Sequence, residues 1–238
     1  MNDQTPGRPV GRRVILGTLG LGAAGVVFGA KAQHALDNMT AAVSQEDPTG
    51  LSALFPGGGG FRFYNVAGSI PHRDEQDYTL NVDGLVDGPA TYSLADLRAM
   101  PQTTVVRDVQ CVTGWRVPKV EFTGVLLRHL LDTAVVKPQG RALHFNCFDG
   151  VYTESLTLEE ARRDDVVIAH EMNSAPLTAA HGGPVRLYVA PMYFYKSAKW
   201  LSGITVTERE HPGYWERYGY DVEAWVGRSN GRDDVPTS

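Results

Sequence analysis

The stretch from residue 181 to residue 200 is the part of the chain richest in chemically useful side chains. It begins His181-Gly182-Gly183-Pro184-Val185-Arg186 and ends Lys196-Ser197-Ala198-Lys199-Trp200. The apolar run from 185 to 189 predicts a strand, so the cationic groups flank one strand on two short loops. Arginine offers a planar fork, lysine a point charge and serine a hydroxyl, and this set suits a phosphate-bearing ligand. A solvated basic surface patch is the alternative interpretation.

The elements predicted around this stretch follow a mixed order. Strands are predicted at 78–82, 103–109, 142–148, 166–169, 185–189 and 201–207, and helices at 93–100, 124–133 and 156–163. This order lacks the regular strand–helix alternation of a doubly wound parallel sheet, and the sequence has no glycine-rich nucleotide motif. We therefore expect an α+β fold, formed as a single domain with mixed sheets and short helices.

Net charge excludes one class of partner. The 238 residues carry a formal charge of −5, and residues 33–238 alone hold 18 basic and 26 acidic residues, a charge of −8. An acidic body has no electrostatic footprint for nucleic acid, so we expect no nucleic-acid partner. The cationic groups between residues 181 and 199 are therefore not part of a generally basic surface, and they indicate a specific local function.

The first 32 residues resemble a twin-arginine export signal. Arg12-Arg13 precede an uncharged apolar stretch, 14–30, which is followed by Ala30-Lys31-Ala32. An uncleaved anchor is the alternative, because the stretch reaches only the short end of the spanning range of roughly 17–25 residues. We expect a protein of the periplasm or the outer face of the cytoplasmic membrane. Residues 33–60 are predicted as a lead-in and glycine-rich linker, 61–207 as the domain and 208–238 as a C-terminal tail.

The two cysteines have different neighbourhoods. Cys147 lies in an alternating strand pattern that predicts a core position, whereas Cys111 directly follows a predicted strand and opens a loop. Arg107 and Arg116 are near in sequence, and nearby positive charge favours the thiolate, the form that binds metals. A soft sulfur ligand suits a redox-active metal.

Three other interpretations of the cysteines stay open at this point. The pair is able to form one disulfide in an exported protein, and a buried thiol is often inert packing. A hydrolase with Cys111 as nucleophile and His181 or His144 as base is the third.

These residues, in this order, resemble the oxidoreductase molybdopterin-binding domain shared by sulfite oxidases and periplasmic methionine sulfoxide reductases. The resemblance covers about residues 61–207. The segments that carry it are Phe63-Tyr64-Asn65-Val66, 78–86, Val109-Gln110-Cys111, 148–156, 165–173 and 181–201.

The resemblance implies a cofactor, a site and a reaction. The cofactor is Mo-molybdopterin, with Cys111 as the thiolate ligand of molybdenum. Implied cofactor-binding residues are Asn65, Cys111, Ser155, His181, Arg186, Lys196, Ser197 and Lys199, and implied catalytic residues are Cys111, Asp149 and Tyr152. The implied reaction is oxygen-atom transfer on a sulfoxide, sulfite or a related small substrate. An exported, cofactor-free binding protein on the same fold is the alternative.

Two departures from sulfite oxidases favour the methionine sulfoxide reductase branch. Sulfite oxidases place Asn-Arg-Arg shortly after the cysteine, whereas this chain has Trp115-Arg116 there. An aromatic wall suits a neutral substrate, and the single Arg116 leaves anion binding open. Residues 208–238 are too few for the dimerisation domain of sulfite oxidases, and no Cys-x-x-Cys-His haem motif is present. We expect a monomer that exchanges electrons with a separate membrane haem protein or cytochrome.

Overall fold

The computed structural model describes residues 61, 62 and 64–238. The predicted export signal or anchor (1–32), the predicted lead-in and linker (33–60) and Phe63 lie outside the described residues. Within the described part of the chain, no helix is long and apolar enough to cross a membrane.

The first sheet has five strands in the order β2-β1-β10-β5-β6. Its central pair, β1 and β10, is parallel, and its other pairs are antiparallel. Val82 and the residue opposite it, Ile204, are both buried, which places the middle of the sheet in the main core. The strands are β1 Thr79–Gly84, β2 Ala90–Ser93, β5 Ala142–Cys147, β6 Thr153–Thr157 and β10 Leu201–Thr207.

The second sheet is antiparallel and follows the order β3-β4-β7-β8, with β9 also paired to β7. Its strands are β3 Gln102–Gln110, β4 Arg116–Leu126, β7 Val166–Met172, β8 Ala175–Pro176 and β9 Arg186–Val189. A smaller apolar cluster packs on it around Cys111, Trp115 and Phe122. The mixed α+β fold expected from the sequence is confirmed.

Helices in the described residues are short. They are α1 Leu94–Ala99, α2 Leu127–Ala134 and α3 Leu158–Ala161, with 3-10 turns at Ala179–His181, Phe194–Lys196 and Glu216–Tyr218. Ser93 caps α1 as predicted: its hydroxyl accepts from the Asp96 amide, and Asp96 reaches back to the Ser93 amide. α2 buries Leu127, Leu130 and Leu131 against the main core.

Two predicted helices start too early. The apolar stripe from 124 belongs to a helix only from Leu127, because residues 124–126 pair with β7 as the end of β4. Gly124 permits this pairing, since an added Cβ there would lie 2.7 Å from the Cα of Ala169. The helix predicted from 156 begins at Leu158, because Leu156 faces Leu143 in the sheet. Hydrophobic periodicity alone does not locate the boundary at which a strand runs directly into a helix.

The segment after β10 belongs to the packed domain. Ala224 and Val226 are buried in the main core, and Trp215 packs against it. The guanidinium of Arg116 donates to the carbonyl oxygens of Val235 (2.6 Å) and Pro236 (3.0 Å), which holds the end of the chain beside β4. Residues 208–238, which were predicted as a tail, are therefore packed against the domain although they follow its last strand.

Candidate active site

A cleft of about 950 Å³, open to solvent, lies where loops from both sheets meet. Its walls come from the segment before β1, the loop after β3, the β5–β6 turn, the two loops flanking β9 and the segment after β10. The cleft is lined by Phe61, Arg62, Tyr64, Val66, Cys111, Val112, Thr113, Trp115, Asp149, Tyr152, Ala180, His181, Arg186, Phe194, Tyr195, Ser197, Lys199, Trp200, Trp215 and Tyr220.

Cys111 reaches this cleft from the end of β3. A tight turn forms because the Cys111 amide donates to the Trp115 carbonyl oxygen at 2.9 Å. The Thr113 hydroxyl donates to the Cys111 sulfur at 3.2 Å. Both cysteines are free thiols, which removes the disulfide interpretation, and Cys147 is buried in the main core outside the cleft lining.

The charges near the Cys111 sulfur are not the ones that the sequence suggested. Arg116 instead pairs with Asp108 at 2.8 Å and with the end of the chain, and Arg107 reaches the carbonyl oxygen of Thr237. Burial raises the pKa of the thiol, and the Thr113 hydrogen bond, then Arg232 and Arg62, act against that rise. Nearby positive charge therefore does favour the thiolate, as the sequence suggested, but it comes from Arg232 and Arg62, and desolvation outweighs it.

His181, Arg186 and Lys199 form one side of the cleft, which we call the cationic wall. Gly182, at φ +97°, ends the 3-10 turn that carries His181, and an added Cβ would lie 2.8 Å from that of Lys199. Arg186 is buried, and its guanidinium donates to the carbonyl oxygens of His181 (2.8 Å) and Ser197 (2.6 Å). The expected pairing of these two loops around one strand is therefore present in the structure.

The electrostatics of the cationic wall favour an anionic ligand. Among the described residues, neither Arg186 nor Lys199 has a carboxylate within ion-pair distance. Burial lowers the pKa of Arg186 to about 9 and, together with the charge of Arg186, lowers that of Lys199 to about 8. Burial and the same two cations lower the pKa of His181 to about 4. An anion in the cleft would relieve this repulsion.

Asp149 and Tyr152 lie in the β5–β6 turn on another side of the cleft. Asp149 Oδ1 accepts from the amides of Val151 (3.1 Å) and Tyr152 (3.0 Å), and this fixes the turn. The Tyr152 hydroxyl donates to the carbonyl oxygen of Tyr195 at 2.6 Å. Asp149 Oδ2 and the Trp115 indole N–H are buried without a hydrogen-bond partner among the described residues. A ligand with both donor and acceptor groups would satisfy them.

Three predicted cofactor-binding residues do not line the cleft. Asn65 folds back on its own loop, accepting from the Ala67 amide and donating to the Ser69 carbonyl oxygen. Ser155 is buried on β6, and its hydroxyl contacts Glu210 at 3.2 Å. The Lys196 ammonium is buried between Glu154 and Glu216. Contact between these three side chains and a cofactor stays a prediction. In the described structure, each of them is engaged by other groups of the protein.

Seven predicted residues do meet in the cleft, and they fit a molybdopterin. They are Cys111, Asp149, Tyr152, His181, Arg186, Ser197 and Lys199. A soft sulfur lies in the same cleft as two cations that lack a carboxylate partner, which matches a thiolate ligand and a phosphate site. The unpartnered Asp149 oxygen and Trp115 N–H suit the polar edge of a pterin ring.

Several lining or neighbouring residues were not predicted. Thr113 was visible two positions after Cys111, a spacing at which a hydroxyl reaches back to a thiolate in a tight turn. Arg62 lines the cleft and Arg232 acts on Cys111 from the C-terminal segment, but neither lies near Cys111 in sequence. No sequence pattern points to Glu154 or Glu216, because each pairs with a lysine distant along the chain.

Comparison with known proteins agrees with this geometry. Residues 67–215 match the family model described as the oxidoreductase molybdopterin binding domain. The uncharacterised oxidoreductase YuiH of Bacillus subtilis is 37% identical over 156 residues, covering 65% of this chain and 78% of the relative.

Two further matches extend the comparison. The putative protein-methionine-sulfoxide reductase subunit YedZ1 of Azospira oryzae is 27% identical over 188 residues, covering 77% of this chain and 70% of the relative. The sulfane dehydrogenase SoxCD of Paracoccus pantotrophus superposes with a TM-score of 0.55 at 25% identity, covering 63% of this chain and 45% of that one.

The family match spans both sheets and every loop of the cleft except the segment before β1 and the last lining residue, Tyr220. It includes Cys111 and the whole cationic wall. The chain therefore belongs to the oxidoreductase molybdopterin-binding domain family, and it is an enzyme whose cofactor is Mo-molybdopterin.

Proposed function

We propose that this protein is an exported sulfoxide reductase in which Cys111 is the thiolate ligand of molybdenum. The observation that carries the proposal is one cleft that holds a buried sulfur together with Arg186 and Lys199, two cations without a carboxylate partner among the described residues. When bound, the cofactor supplies two-electron oxygen-atom exchange. Electrons come from a separate membrane haem protein or cytochrome, and the chain acts as a monomer.

The residues of the cleft have distinct parts in this proposal. Arg186 and Lys199 hold the phosphate of the pterin, with Ser197 and His181 beside them. Thr113 holds the Cys111 sulfur by its hydrogen bond and orients it toward the cleft. Asp149 would accept from the pterin edge, and the hydroxyl of Tyr152, which lines the cleft, would donate a proton to a departing oxygen.

A neutral substrate is favoured by the walls of the cleft. Phe61, Trp115 and Phe194 contact one another with ring centroids 5.8–6.1 Å apart and give the cleft an apolar side. Arg116, the arginine nearest to Cys111 in sequence, has its donors engaged by Asp108 and the end of the chain. Aromatic surface and few free cations suit a sulfoxide better than a dianion. The Azospira relative is named as a putative methionine sulfoxide reductase subunit, which agrees with this choice.

Oxidation of sulfite is the second candidate, and one observation favours it. The Arg62 guanidinium lines the cleft and has no ion-pair partner among the described residues. If sulfite is the substrate, Arg62→Gln raises KM for sulfite about tenfold or more, the loss of one charge-assisted hydrogen bond. If a neutral sulfoxide is the substrate, the same variant keeps its KM.

The central experiment compares the two cysteines. We expect about one molybdenum per chain in the purified protein, and reduction of small sulfoxides with an artificial electron donor. Cys111→Ser should lose at least about a thousandfold in turnover and most of its molybdenum, because the soft ligand is removed. Cys147→Ser is the matched control and should keep both. Molybdenum retained in Cys111→Ser and lost in Cys147→Ser would refute the ligand assignment.

A further inference from the structure

A second group of ionisable side chains lies behind the cleft wall. Lys196 Nζ is 2.9 Å from Glu154 Oε2 and 2.7 Å from Glu216 Oε1, and all three side chains are fully inaccessible to solvent. We call Glu154, Lys196 and Glu216 the buried cluster. Each member comes from a different element: β6, the turn that ends at Lys196, and the 3-10 turn after β10. Three elements thus converge on one ammonium group.

The charges of the buried cluster do not balance unless one proton is shared. Two carboxylates and one ammonium leave a net negative charge, and an uncompensated buried charge is strongly unfavourable. Glu216 Oε2 is buried and has no hydrogen-bond donor among the described residues. Glu154 and Glu216 contact the same ammonium group, so one proton held by the two carboxyl groups would make the cluster neutral.

The electrostatic surroundings agree with this placement of the proton. Burial raises the pKa of Glu154 well above its usual value, and the charge of Glu216 adds to this rise despite the opposing effect of Lys196. Although burial opposes it, the two carboxyl groups raise the pKa of Lys196, so the ammonium keeps its own proton. The other titratable groups that act on the cluster are Tyr152, Cys147, Tyr195 and Glu210.

One hydroxyl links the buried cluster to the cleft. Tyr152 lines the cleft, and its hydroxyl lies 3.5 Å from Glu154 Oε1. Tyr152 and Glu154 are two residues apart where β6 begins, so their side chains extend to the same face. Burial raises the pKa of Tyr152, so its phenol stays protonated and is able to relay a proton. Glu210 is half-buried, and its carboxylate accepts from the hydroxyl of Ser155, the residue next to Glu154.

We propose that the buried cluster stores one proton and delivers it through Tyr152 to the cleft while substrate is reduced. The inference rests on the proposed function, in which a sulfoxide, two electrons and two protons give a sulfide and one water molecule. Sulfur is reduced by the two electrons of the haem partner, the S–O bond breaks, and two O–H bonds form. Tyr152 donates its proton to the departing oxygen and regains one from the Glu154–Glu216 pair. Solvent provides the second proton and refills the pair.

The first test needs no turnover. The infrared spectrum of the purified holoenzyme at neutral pH should contain a carboxylic acid C=O band that shifts in heavy water. This band should disappear in both Glu154→Gln and Glu216→Gln, because the remaining carboxylate then pairs with Lys196. Glu159→Gln, an exposed change on α3, is the control and should keep the band. A wild-type spectrum without the band, or a band retained in both cluster variants, overturns the inference.

The second test measures the pH dependence of sulfoxide reduction. Wild-type kcat should stay level from about pH 6 to about pH 8, whereas kcat of Glu216→Gln should fall about tenfold over that interval because solvent must then supply both protons. KM, molybdenum content and the unfolding temperature should match the control. Equal pH profiles in an active wild type and Glu216→Gln overturn the inference and leave the proposed function standing. A wild type without sulfoxide reductase activity overturns the proposed function. In that case the infrared band alone tests whether the buried cluster stores a proton.

Discussion

Lys199 and Lys196 stand three residues apart, yet they lie in opposite electrostatic settings. Lys199 belongs to the cationic wall, where it has no carboxylate partner among the described residues and burial and Arg186 lower its pKa to about 8. Lys196 belongs to the buried cluster, where two carboxyl groups raise its pKa. In the proposed function the first lysine holds an anion from outside the protein, whereas the second has its anions within the protein. The difference shows that position relative to the cleft, not residue type, decides what a lysine in this motif does.

The sharpest way to break this comparison is Lys196→Met. Removing the ammonium leaves two buried carboxyl groups without a counter-ion, so we expect a loss of about 3–5 kcal/mol in the free energy of unfolding. Denaturant titration measures it. Lys199→Met is the matched variant and should cost little stability, since it removes a repelled charge. Equal losses in both variants would contradict the distinction between the two lysines.

Lys199→Met should instead affect cofactor retention. Loss of one charge-assisted hydrogen bond to a phosphate corresponds to about 10–100-fold weaker binding. Molybdenum per chain after extended dialysis measures this effect. Lys137→Met, a change at a lysine outside the cleft lining, should retain as much molybdenum as the wild type. If both variants retain it equally, Lys199 does not hold the cofactor.

The cationic wall also predicts a pH dependence of stability in the cofactor-free protein. The pKa of His181 is about 4 in the folded state, below its usual 6.5, so the unfolded state takes up the proton first. As pH falls from about 6.5 towards about 4, we expect a loss on the order of 2 kcal/mol. Urea unfolding at several pH values measures it. His181→Gln should flatten this slope, and an unchanged slope would assign the effect to other groups.

The smallest expected effect concerns Arg116, a cation that belongs to neither setting. Its guanidinium joins Asp108 to the end of the chain, and the pair is partly exposed. Arg116→Gln should therefore cost about 1 kcal/mol of stability. The KM for sulfoxide should be unchanged, because this side chain does not line the cleft. A clear rise in KM would place Arg116 in substrate binding after all.

Much of the site was recognisable before the structure because its residues cluster in short ordered segments. Cys111 follows a β-branched strand, and the His181–Arg186 and Ser197–Lys199 loops flank another strand, so their convergence followed from local pattern. The N-cap of α1 and the bounds of β10 were likewise predicted from local sequence. These features depend on neighbours within a few residues, which a single sequence displays.

Local pattern failed where a partner is distant along the chain. Lys196 was predicted to bind the cofactor together with its neighbours Ser197 and Lys199, but Glu154 and Glu216 reach it from distant elements, β6 and the segment after β10. Arg116 is near Cys111 in sequence, yet its guanidinium donates to Asp108 and to the last residues of the chain and does not line the cleft. Only tertiary packing determines which carboxylate meets which cation.

The amino-acid sequence by itself determined the family, the Mo-molybdopterin cofactor, the mixed α+β fold and the identity of the two loops that face the cysteine. It did so because the ordered motifs and the hydrophobic pattern are local properties of the chain. The tertiary structure alone decided which lysine faces the cleft, and that a buried carboxyl pair lies behind Tyr152. Those outcomes depend on burial and on charges brought together from distant positions, since desolvation and Coulomb energy act through space and not along the sequence.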